Sequence, residues 1–444
     1  MDKVITVIGA GLAGSEAAWQ LAEQGFPVDL YEMRPEKSTP AHQTDLFAEL
    51  VCSNSLRAAG LENAAGLLKE EMRRLGSLIM KVADENTVPA GGALAVDRQH
   101  FSLKITEIIS KHPKIRVFRK EVVSLPESGI TVVATGPLTS DALAEKIKQV
   151  TGEESLAFYD AAAPIVTLES IDMTKAFWAS RYNKGEADYL NCPLDKDEYD
   201  RFYQALISAE TTEVRGFEQG KVFEGCMPIE VMANRGPQTL AFGPLKPVGL
   251  VDPRTNKKPY AVVQLRKEDI SGTLFNLVGF QTHLKWAEQV RVFCLIPGLE
   301  KAEFVRLGVM HRNTFLNSPR ILKADFSLRT NSRLFFAGQI TGVEGYLEST
   351  ASGLLAGLNA GRCFMKRPTL IFPPETALGG LARHLEGSPS GDFQPMNINF
   401  GLLPPLGRRI KGKREKKTLI AKRALQELEE YCSSEGIAVR MRRN

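Results

Sequence analysis

Two cysteines occupy segments whose composition suits chemistry better than packing. The first, Cys52, lies in FAELVCSNSLR, where Ser53, Asn54 and Arg57 surround it with polar groups. A segment this polar is a poor candidate for a packed core. Loops in this position, shortly after a glycine-rich turn, normally face a bound cofactor. We therefore expect Cys52 to be functional, although cysteine also serves as a small buried hydrophobe in many proteins.

The second candidate, Cys226, lies in VFEGCMPIEV and is followed by Met227 and Pro228. Proline interrupts a regular helix or a central strand, so this thiol is expected on an irregular, constrained segment. The nearby Glu224 and Glu230 would raise the pKa of a thiol, so its activation must come from elsewhere, such as an arginine or the cofactor itself.

Bulk composition indicates an ordinary globular chain of two or three domains. It has 444 residues, of which 43% are hydrophobic and 24% are charged. No apolar run of about 18 residues appears, and the start, MDKVITVIGAG, resembles a strand more than a cleavable leader. We expect a soluble, cytoplasmic protein without a membrane segment. The six cysteines are widely spaced and form no CxxC pair, so we predict neither a metal site nor a disulfide framework.

Positive charge is concentrated at the end of the chain. Residues 401–444 contain 12 Lys and Arg against 5 Glu, a local charge of +7, whereas the whole chain carries +4. The run RRIKGKREKK is compatible with a solvated helix face. It is equally compatible with a surface for a polyanion such as RNA.

The N-terminal segment has the pattern of a dinucleotide-binding unit. A strand (KVITVI) leads into GAGLAG, then into a helical segment ending at Gly25 and a second strand, PVDLYEM. In this context the glycines have distinct roles: one allows the tight turn, one allows a pyrophosphate to approach, and one allows close helix–strand packing. A carboxylate at the end of the second strand can accept hydrogen bonds from ribose, which favours FAD or NAD over NADP in this slot. The predicted cofactor-binding residues of this unit are Gly9, Ala10, Gly11, Leu12, Ala13, Gly14 and Glu32.

Two later strands end in glycine turns, as expected of a two-part FAD fold. ITVVATGP ends at Gly136, and RLFFAGQITG contains Gly338 and Gln339, the latter at a position that is usually acidic. A helix rich in small residues begins near Gly345, with Tyr346 at its start, and its positive end would favour a reduced flavin ring. Such a helix can lie close against a cofactor.

We therefore predict an α/β fold. Its FAD-binding, doubly wound (Rossmann-like) domain is discontinuous in sequence, with an inserted mixed α+β substrate domain. The expected boundaries are 1–150 for the first part of the FAD-binding domain, 151–326 for the inserted substrate domain, and 327–444 for the return segment and basic tail. In VPAGGALAVDR, Asp97 and Arg98 are expected to pair with each other or to contact FAD.

Many segments together resemble one family. The chain is similar to the bacterial FAD- and folate-dependent tRNA methyltransferases, which make 5-methyluridine at position 54 of the T-loop. The resemblance spans residues 1 to about 400, in one order. It rests on GAGLAGSEAAWQLA, YEMRP, AELVCSNSLR, VPAGGALAVDR, FYDAAAPIV, YLNCP, FEGCMPIEVMA, FGPLKPVGL, VGFQTHLKW, GVMHRNTF and LFFAGQITGVEGY.

The resemblance implies 5,10-methylenetetrahydrofolate as carbon donor, NAD(P)H as reductant and the T-arm of tRNA as substrate. The family's two functional cysteines correspond to Cys52 and Cys226. A thiolate that adds to C6 of uracil makes C5 nucleophilic, a base must then remove the C5 proton, and a hydride must reduce the added carbon. We assign Cys226 to the attack and Cys52 to the proton, although these roles could be exchanged. The NADH or NADPH preference, and whether flavin carries the carbon, stay open.

Other residues are candidates for substrate contacts. His283 could stack on or hydrogen-bond the folate pterin, and His311 and Arg312 in VMHRN are similar candidates. Tyr182 and Tyr189, with basic residues nearby and in the tail, could contact an extruded base and its phosphates. A structural role is the alternative in each case, and no obligate protein partner is evident.

Three other functions fit parts of the pattern. The related FAD-dependent family that modifies the wobble uridine of tRNA shares the glycine fingerprint, but it is longer. A flavin oxidoreductase acting on a small molecule would need neither the basic tail nor the paired cysteine segments. A noncatalytic tRNA-binding flavoprotein would use both cysteines only for packing.

Overall fold

The protein is described by a computed structural model. It describes residues 4–153, 156–161, 163–183, 186–212, 227–308, 310–387, 393, 395–407 and 410–440. Cys226, one of the two cysteines expected to be functional, lies outside the described residues.

The β-strands of the described residues are, in chain order, β1 (Ile5–Ile8), β2 (Val28–Glu32), β3 (Ser55–Ala58), β4 (Thr87–Val88), β5 (Ala93–Val96), β6 (Ile115–Arg119), β7 (Ile130–Val133), β8 (Leu156–Ala161), β9 (Ile165–Thr167), β10 (Phe177–Ala179), β11 (Tyr189–Leu194), β12 (Ala261–Lys267), β13 (Leu274–Leu277), β14 (Phe304–Arg306), β15 (Met310–Phe315), β16 (Ser327–Leu328) and β17 (Asn331–Phe336).

The α-helices are α1 (Leu12–Glu23), α2 (Ala64–Arg74), α3 (Leu78–Glu85), α4 (Arg98–Lys111), α5 (Asp141–Thr151), α6 (Lys196–Ile207), α7 (Ile229–Ala233), α8 (Thr239–Phe242), α9 (Trp286–Phe293), α10 (Ser318–Ile321), α11 (Tyr346–Phe364), α12 (Ala377–Glu386) and α13 (Lys413–Ser434). None of the helices in the described ranges is both long and apolar enough to cross a bilayer.

A six-stranded sheet with the order β16-β17-β7-β1-β2-β6 forms the first layer. All neighbouring strands except β16 and β17 pair in parallel. Helices cover the sheet, so β1 and β7 are apolar and largely buried, as expected of central parallel strands. Because β17 pairs with β7 although about 200 residues separate them, the chain returns to this sheet after a long excursion. The doubly wound α/β class predicted from sequence is confirmed.

Small residues bring α11 against α1 at close range. A Cβ at Gly353 would lie 2.2 Å from the carbonyl oxygen of Ala13, and one at Gly357 would lie 2.8 Å from that of Ala17. Only glycine allows the two backbones to approach so closely. At these two positions the small residues of α11 therefore serve its packing against α1.

The second sheet is antiparallel, with the order β10-β11-β12-β13-β9-β14. Its core includes Val166, Leu190, Val263 and Phe275, all buried. An antiparallel pair, β8 with β15, lies on the two chain segments that lead to and from this sheet. The domain boundaries expected from sequence stay a prediction.

A buried carboxylate ties α2 to α12. Glu71 accepts hydrogen bonds from the backbone N–H groups of Ala377 (2.7 Å) and Leu378 (2.9 Å) in the first turn of α12. Burial raises its pKa to about 8, and the two N–H donors only partly oppose that shift. Glu71 is therefore largely protonated in the folded protein near neutral pH. An amide at this position would not titrate, but it would accept only one of the two backbone N–H bonds.

We expect Glu71→Gln to remove a pH dependence of stability. A carboxyl whose pKa is higher in the folded than in the unfolded chain contributes stability below its unfolded pKa, and that contribution is lost as pH rises through the folded pKa. Relative to Glu71→Gln, the wild-type free energy of unfolding should therefore fall by roughly 2–3 kcal/mol between pH 6 and pH 9. Urea unfolding of both proteins at the two pH values measures this. An equal difference at both pH values would contradict it.

Candidate active site

A cleft lies at the carboxyl ends of the parallel strands. It encloses about 1030 Å³, including the part open to solvent. Ligands of doubly wound sheets bind at this edge. Of the residues proposed from sequence for the cofactor, Gly9, Gly11, Leu12, Ala13, Glu32, Gly136, Gly338, Gln339 and Tyr346 line the cleft. Ala10, Gly14 and Gly345 are not among the residues that line the cleft.

The three glycines of the first turn meet different surroundings. Gly9 has φ +96°, and a Cβ there would lie 2.6 Å from the carbonyl oxygen of Ala134. A Cβ at Gly14 would lie 1.7 Å from the carbonyl oxygen of Gly9, so this position serves the packing of α1. By contrast, a Cβ at Gly11 would meet no atom of the described residues within 4 Å and would project into open space. Because α1 begins at the next residue, a diphosphate fits here against the helix N-terminus.

Glu32 holds the turn and faces the cleft. Its Oε2 accepts from the backbone N–H of Ala10 (2.9 Å), and its Oε1 accepts from Arg34 Nε (2.9 Å). Burial by itself would raise the pKa of this carboxyl, but the hydrogen bond and charge of Arg34 bring it below the ordinary value. Glu32 is thus ionised. Its Oε1 also accepts from the backbone N–H of Arg34 (3.1 Å), so Oε2 is the oxygen that keeps a lone pair for a ribose hydroxyl. Sequence reasoning missed Arg34, which stands two residues after Glu32 in YEMRP.

The late glycines place the start of α11 at the cleft. The backbone N–H of Gly338 donates to Ser352 Oγ (2.7 Å), and Gly345, at φ +104°, is the N-cap of α11. Gln339 donates from Nε2 to Glu344 Oε2 (2.8 Å). This bond fixes the orientation of the Gln339 amide, which lines the cleft, whereas Glu344 does not line it.

Tyr346, which lines the cleft, contacts Cys52, which is not itself among the lining residues. The Tyr346 hydroxyl oxygen accepts from the backbone N–H groups of Cys52 (2.8 Å) and Ser53 (3.2 Å) and lies 3.0 Å from Cys52 Sγ. Two donors occupy both lone pairs of this oxygen, so its own hydrogen is the one that points to sulfur. Burial, with a further contribution from Cys52, raises the pKa of Tyr346 well above its ordinary value. The phenol is therefore a protonated donor to the Cys52 sulfur, an arrangement that stabilises a thiolate.

Three arginines hold the Cys52 segment, and two of them come from the second sheet. Arg98 Nη1 donates to the carbonyl oxygen of Leu50 (2.8 Å), and Arg306 Nη2 donates to that of Val51. Arg266 donates to Asn54 Oδ1 (3.0 Å) and Ser53 Oγ (2.8 Å). The antiparallel sheet therefore holds the backbone before the thiol, through Arg306, and the side chains after it, through Arg266.

Arg98 does not pair as the sequence suggested. Its carboxylate partner is Glu268, whose Oε2 lies 2.9 Å from Nη2, whereas Asp97 accepts from the backbone N–H of His100 (2.9 Å) as the N-cap of α4. Burial would lower the pKa of Arg98, but Glu268, with smaller contributions from Tyr346 and Cys52, raises it above the ordinary value. The expected Asp97–Arg98 pair was wrong, because only the tertiary fold brings Glu268 within reach.

His283 lies in the second sheet's domain and is not among the residues that line the cleft. Its Nδ1 is 2.5 Å from Glu230 Oε1, and its carbonyl oxygen accepts from the backbone N–H of Thr212 (2.9 Å). Thr212 and Glu230 stand on either side of residues 213–226, which lie outside the described residues. His283 therefore contacts Thr212, which precedes the segment that contains Cys226, and Glu230, which follows it.

The remaining sequence candidates are placed only in part. His311 and Arg312 belong to β15, where they pair with Asp160 and Tyr159 of β8, and their side chains are not described. Tyr189 donates to the carbonyl oxygen of Ala90 (3.1 Å), and Tyr182 is 63% exposed. In the basic tail, α13 buries Ile420, Leu425 and Leu428 and leaves Lys413, Arg414 and Lys416 exposed.

The fold, with its two six-stranded sheets, and the cleft define an α/β protein of the dinucleotide-binding class. Residues 4–368 match the model of the family described as glucose inhibited division protein A. The structure is similar to that of Aquifex aeolicus GidA in its form II crystal, with a TM-score of 0.71 at 15% identity over 98% of this chain and 74% of that one. At this identity the likeness shows the fold alone.

Relatives named methylenetetrahydrofolate–tRNA-(uracil-5-)-methyltransferase TrmFO are much closer in sequence. The protein of that name from Desulfitobacterium hafniense (strain Y51) is 71% identical over 98% of this chain and 99% of its own length. The one from Heliobacterium modesticaldum is 62% identical over 97% and 98%. The one from Listeria innocua is 61% identical over 97% and 99%. The chain therefore belongs to the family of methylenetetrahydrofolate–tRNA-(uracil-5-)-methyltransferases.

Proposed function

We propose that the protein transfers the one-carbon unit of 5,10-methylenetetrahydrofolate to C5 of uridine 54 in the T-loop of tRNA. FAD occupies the cleft, and NAD(P)H is the reductant. The names of the relatives support the folate donor and the uracil of tRNA. The observation that carries the assignment to this site is the contact between Cys52 and Tyr346, because it holds a thiol against a residue that lines a dinucleotide cleft.

The residues of the cleft fit FAD. The N-terminus of α1 beside Gly11 would hold the diphosphate, and Glu32 would accept from the adenosine ribose. Tyr346 and Ser349, at the start of α11, would border the flavin ring. When bound and reduced, FAD supplies the hydride that converts the transferred methylene to methyl.

The thiols carry the remaining chemistry. The Cys226 thiolate adds to C6 of the uracil, and the electron pair of the C5–C6 double bond moves to C5. C5 then bonds to the folate methylene. Removal of the C5 proton expels the folate nitrogen and leaves an exocyclic methylene at C5, with the Cys226 sulfur still bonded to C6. Addition of a hydride to that methylene re-forms the C5–C6 double bond, expels the Cys226 thiolate and leaves a methyl group.

Cys52 is the proton acceptor in this scheme. The Tyr346 hydroxyl donates to its sulfur, and Arg98 and Arg306 place positive charge nearby, as their electrostatic coupling to Cys52 indicates. Both features stabilise the thiolate form that takes the C5 proton. The alternative, in which Cys52 attacks C6 and Cys226 removes the proton, uses the same groups in exchanged roles.

A transfer assay tests the proposed function. Full-length tRNA transcripts are incubated with FAD-loaded protein, NAD(P)H and methylenetetrahydrofolate labelled in its methylene carbon. Label is expected in 5-methyluridine at position 54 and is expected to be absent when that uridine is replaced by cytidine. Oxidation of NAD(P)H without label in RNA would instead support an oxidoreductase acting on a small molecule. Label at a wobble uridine would support the related wobble-modifying activity.

A further inference from the structure

Three buried polar atoms beside the Cys52 segment lack a hydrogen-bond partner among the described residues. They are Glu268 Oε1, Arg98 Nη2 and Arg306 Nε. Glu268 is 3% exposed and directly follows β12, Arg306 ends β14, and Arg98 begins α4. The three side chains therefore converge from three elements at the junction of the second sheet with the Cys52 segment.

The other polar atoms of these side chains are already engaged. Arg98 Nε donates to Glu268 Oε2 (3.1 Å), while Arg98 Nη1 and Arg306 Nη2 donate to the carbonyl oxygens of Leu50 and Val51. These bonds fix the orientation of both guanidinium groups. Arg98 Nη2 is 2.9 Å from Glu268 Oε2, but its hydrogens are not aligned with that oxygen or with any other acceptor in the described part of the chain.

Buried charged atoms without partners are costly, and native proteins contain few of them. Here two N–H donors and one carboxylate acceptor stand unused in one cluster, and the pKa of Arg306, lowered first by burial and then by the charge of Arg98, shows that the two arginines are close. A ligand that offers two acceptors and one donor would satisfy all three atoms.

We propose that Arg98, Glu268 and Arg306 bind the imide edge of the target uracil, an inference that rests on the proposed function. This edge presents two carbonyl oxygens and one ring N–H. The guanidinium N–H groups donate to the carbonyls, and Glu268 Oε1 accepts from N3–H. The cluster lies beside Cys52, so a base held there is next to the group assigned to its C5 proton.

A cyclic amide edge is also present on the pterin ring of folate, so the two sources must be compared. The pterin presents one carbonyl oxygen, one ring N–H and one amino group. It would leave one guanidinium donor unpaired and would add a donor for which the cluster has no acceptor. Cytosine has an acceptor at N3 and an amino group in place of the second carbonyl, so it opposes Glu268. The cluster therefore selects uracil over both.

Binding of T-arm hairpins with uridine or cytidine at the target position tests this selection. Dissociation constants are measured by fluorescence anisotropy of labelled hairpins for the wild type, Glu268→Gln and Arg306→Lys. We expect the wild type to prefer the uridine hairpin, and Glu268→Gln to reduce that preference at least about 10-fold, because a carboxamide can donate to cytosine N3 as well as accept from uracil. Arg306→Lys keeps a donor for the Val51 carbonyl but lacks Nε–H. It is expected to weaken uridine-hairpin binding about 10-fold.

Glu71→Gln is the matched control, because it replaces another buried carboxyl with an amide outside the site and should leave both constants unchanged near neutral pH. If Glu268→Gln weakened binding of the uridine and cytidine hairpins equally, the proposal would be overturned, and the cluster would only stabilise the Cys52 segment. An unchanged hairpin preference with weakened binding of tetrahydrofolate would also overturn it, since that result identifies a pterin site. A wild type that prefers the uridine hairpin but transfers no carbon would refute the proposed activity alone.

Discussion

Cys52→Ala is expected to slow carbon transfer to T-arm RNA by roughly 10²–10⁴-fold, the range by which a positioned general base contributes. The variant retains the backbone N–H that bonds the Tyr346 hydroxyl, so the cleft and FAD binding should be preserved. Single-turnover transfer of labelled carbon measures the effect. Cys363→Ala is the control, because Cys363 lies near the other end of α11, away from the cleft, and should leave the rate unchanged.

Tyr346→Phe separates the thiol's reactivity from its position. Without the hydroxyl, the sulfur loses the donor that stabilises its thiolate, so the rate should fall near neutral pH and recover partly as pH rises. A merely structural role for Tyr346 would lower the rate equally at all pH values. Full activity in Cys52→Ala would remove the proposed base altogether.

Cys226→Ala is expected to lower carbon transfer by at least about 10⁴-fold, because it removes the group that makes C5 of uracil nucleophilic. The C5 proton should also stop exchanging, since exchange requires prior addition at C6. Release of tritium from [5-³H]uridine at the target position of T-arm RNA measures this step. Reduction of bound FAD by NAD(P)H should be unchanged and serves as the control. Transfer at the wild-type rate in this variant would refute a nucleophilic role for Cys226.

Features that depend on local sequence were predictable. The turn at Gly9, the close packing at Gly14 and the start of α11 at Tyr346 each follow from glycines and apolar runs that are neighbours in the chain. The same local signals predict the parallel strands, and the doubly wound class is confirmed. The roles of Cys52 and Cys226 stay a prediction.

Features that depend on distant contacts were not predictable. Arg266 and Arg306 reach the Cys52 segment across more than 200 residues, and nothing in their own neighbourhoods marks them as partners of a thiol segment. Arg98 was noticed, but the adjacent Asp97 suggested the wrong partner. The small residues of α11 indicated that another part of the molecule approaches this helix closely, but they did not identify it. In the structure that partner is α1.

Trapping the uracil adduct tests the central claim, addition of Cys226 to C6, most directly. A T-arm hairpin with 5-fluorouridine at the target position can undergo addition and carbon transfer but cannot lose its C5 substituent as a proton, so the covalent complex persists. Peptide mapping by mass spectrometry is expected to locate the RNA on Cys226, in wild type and in Cys52→Ala alike, and to find no adduct in Cys226→Ala. An adduct on Cys52, or an undiminished adduct in Cys226→Ala, would contradict the account.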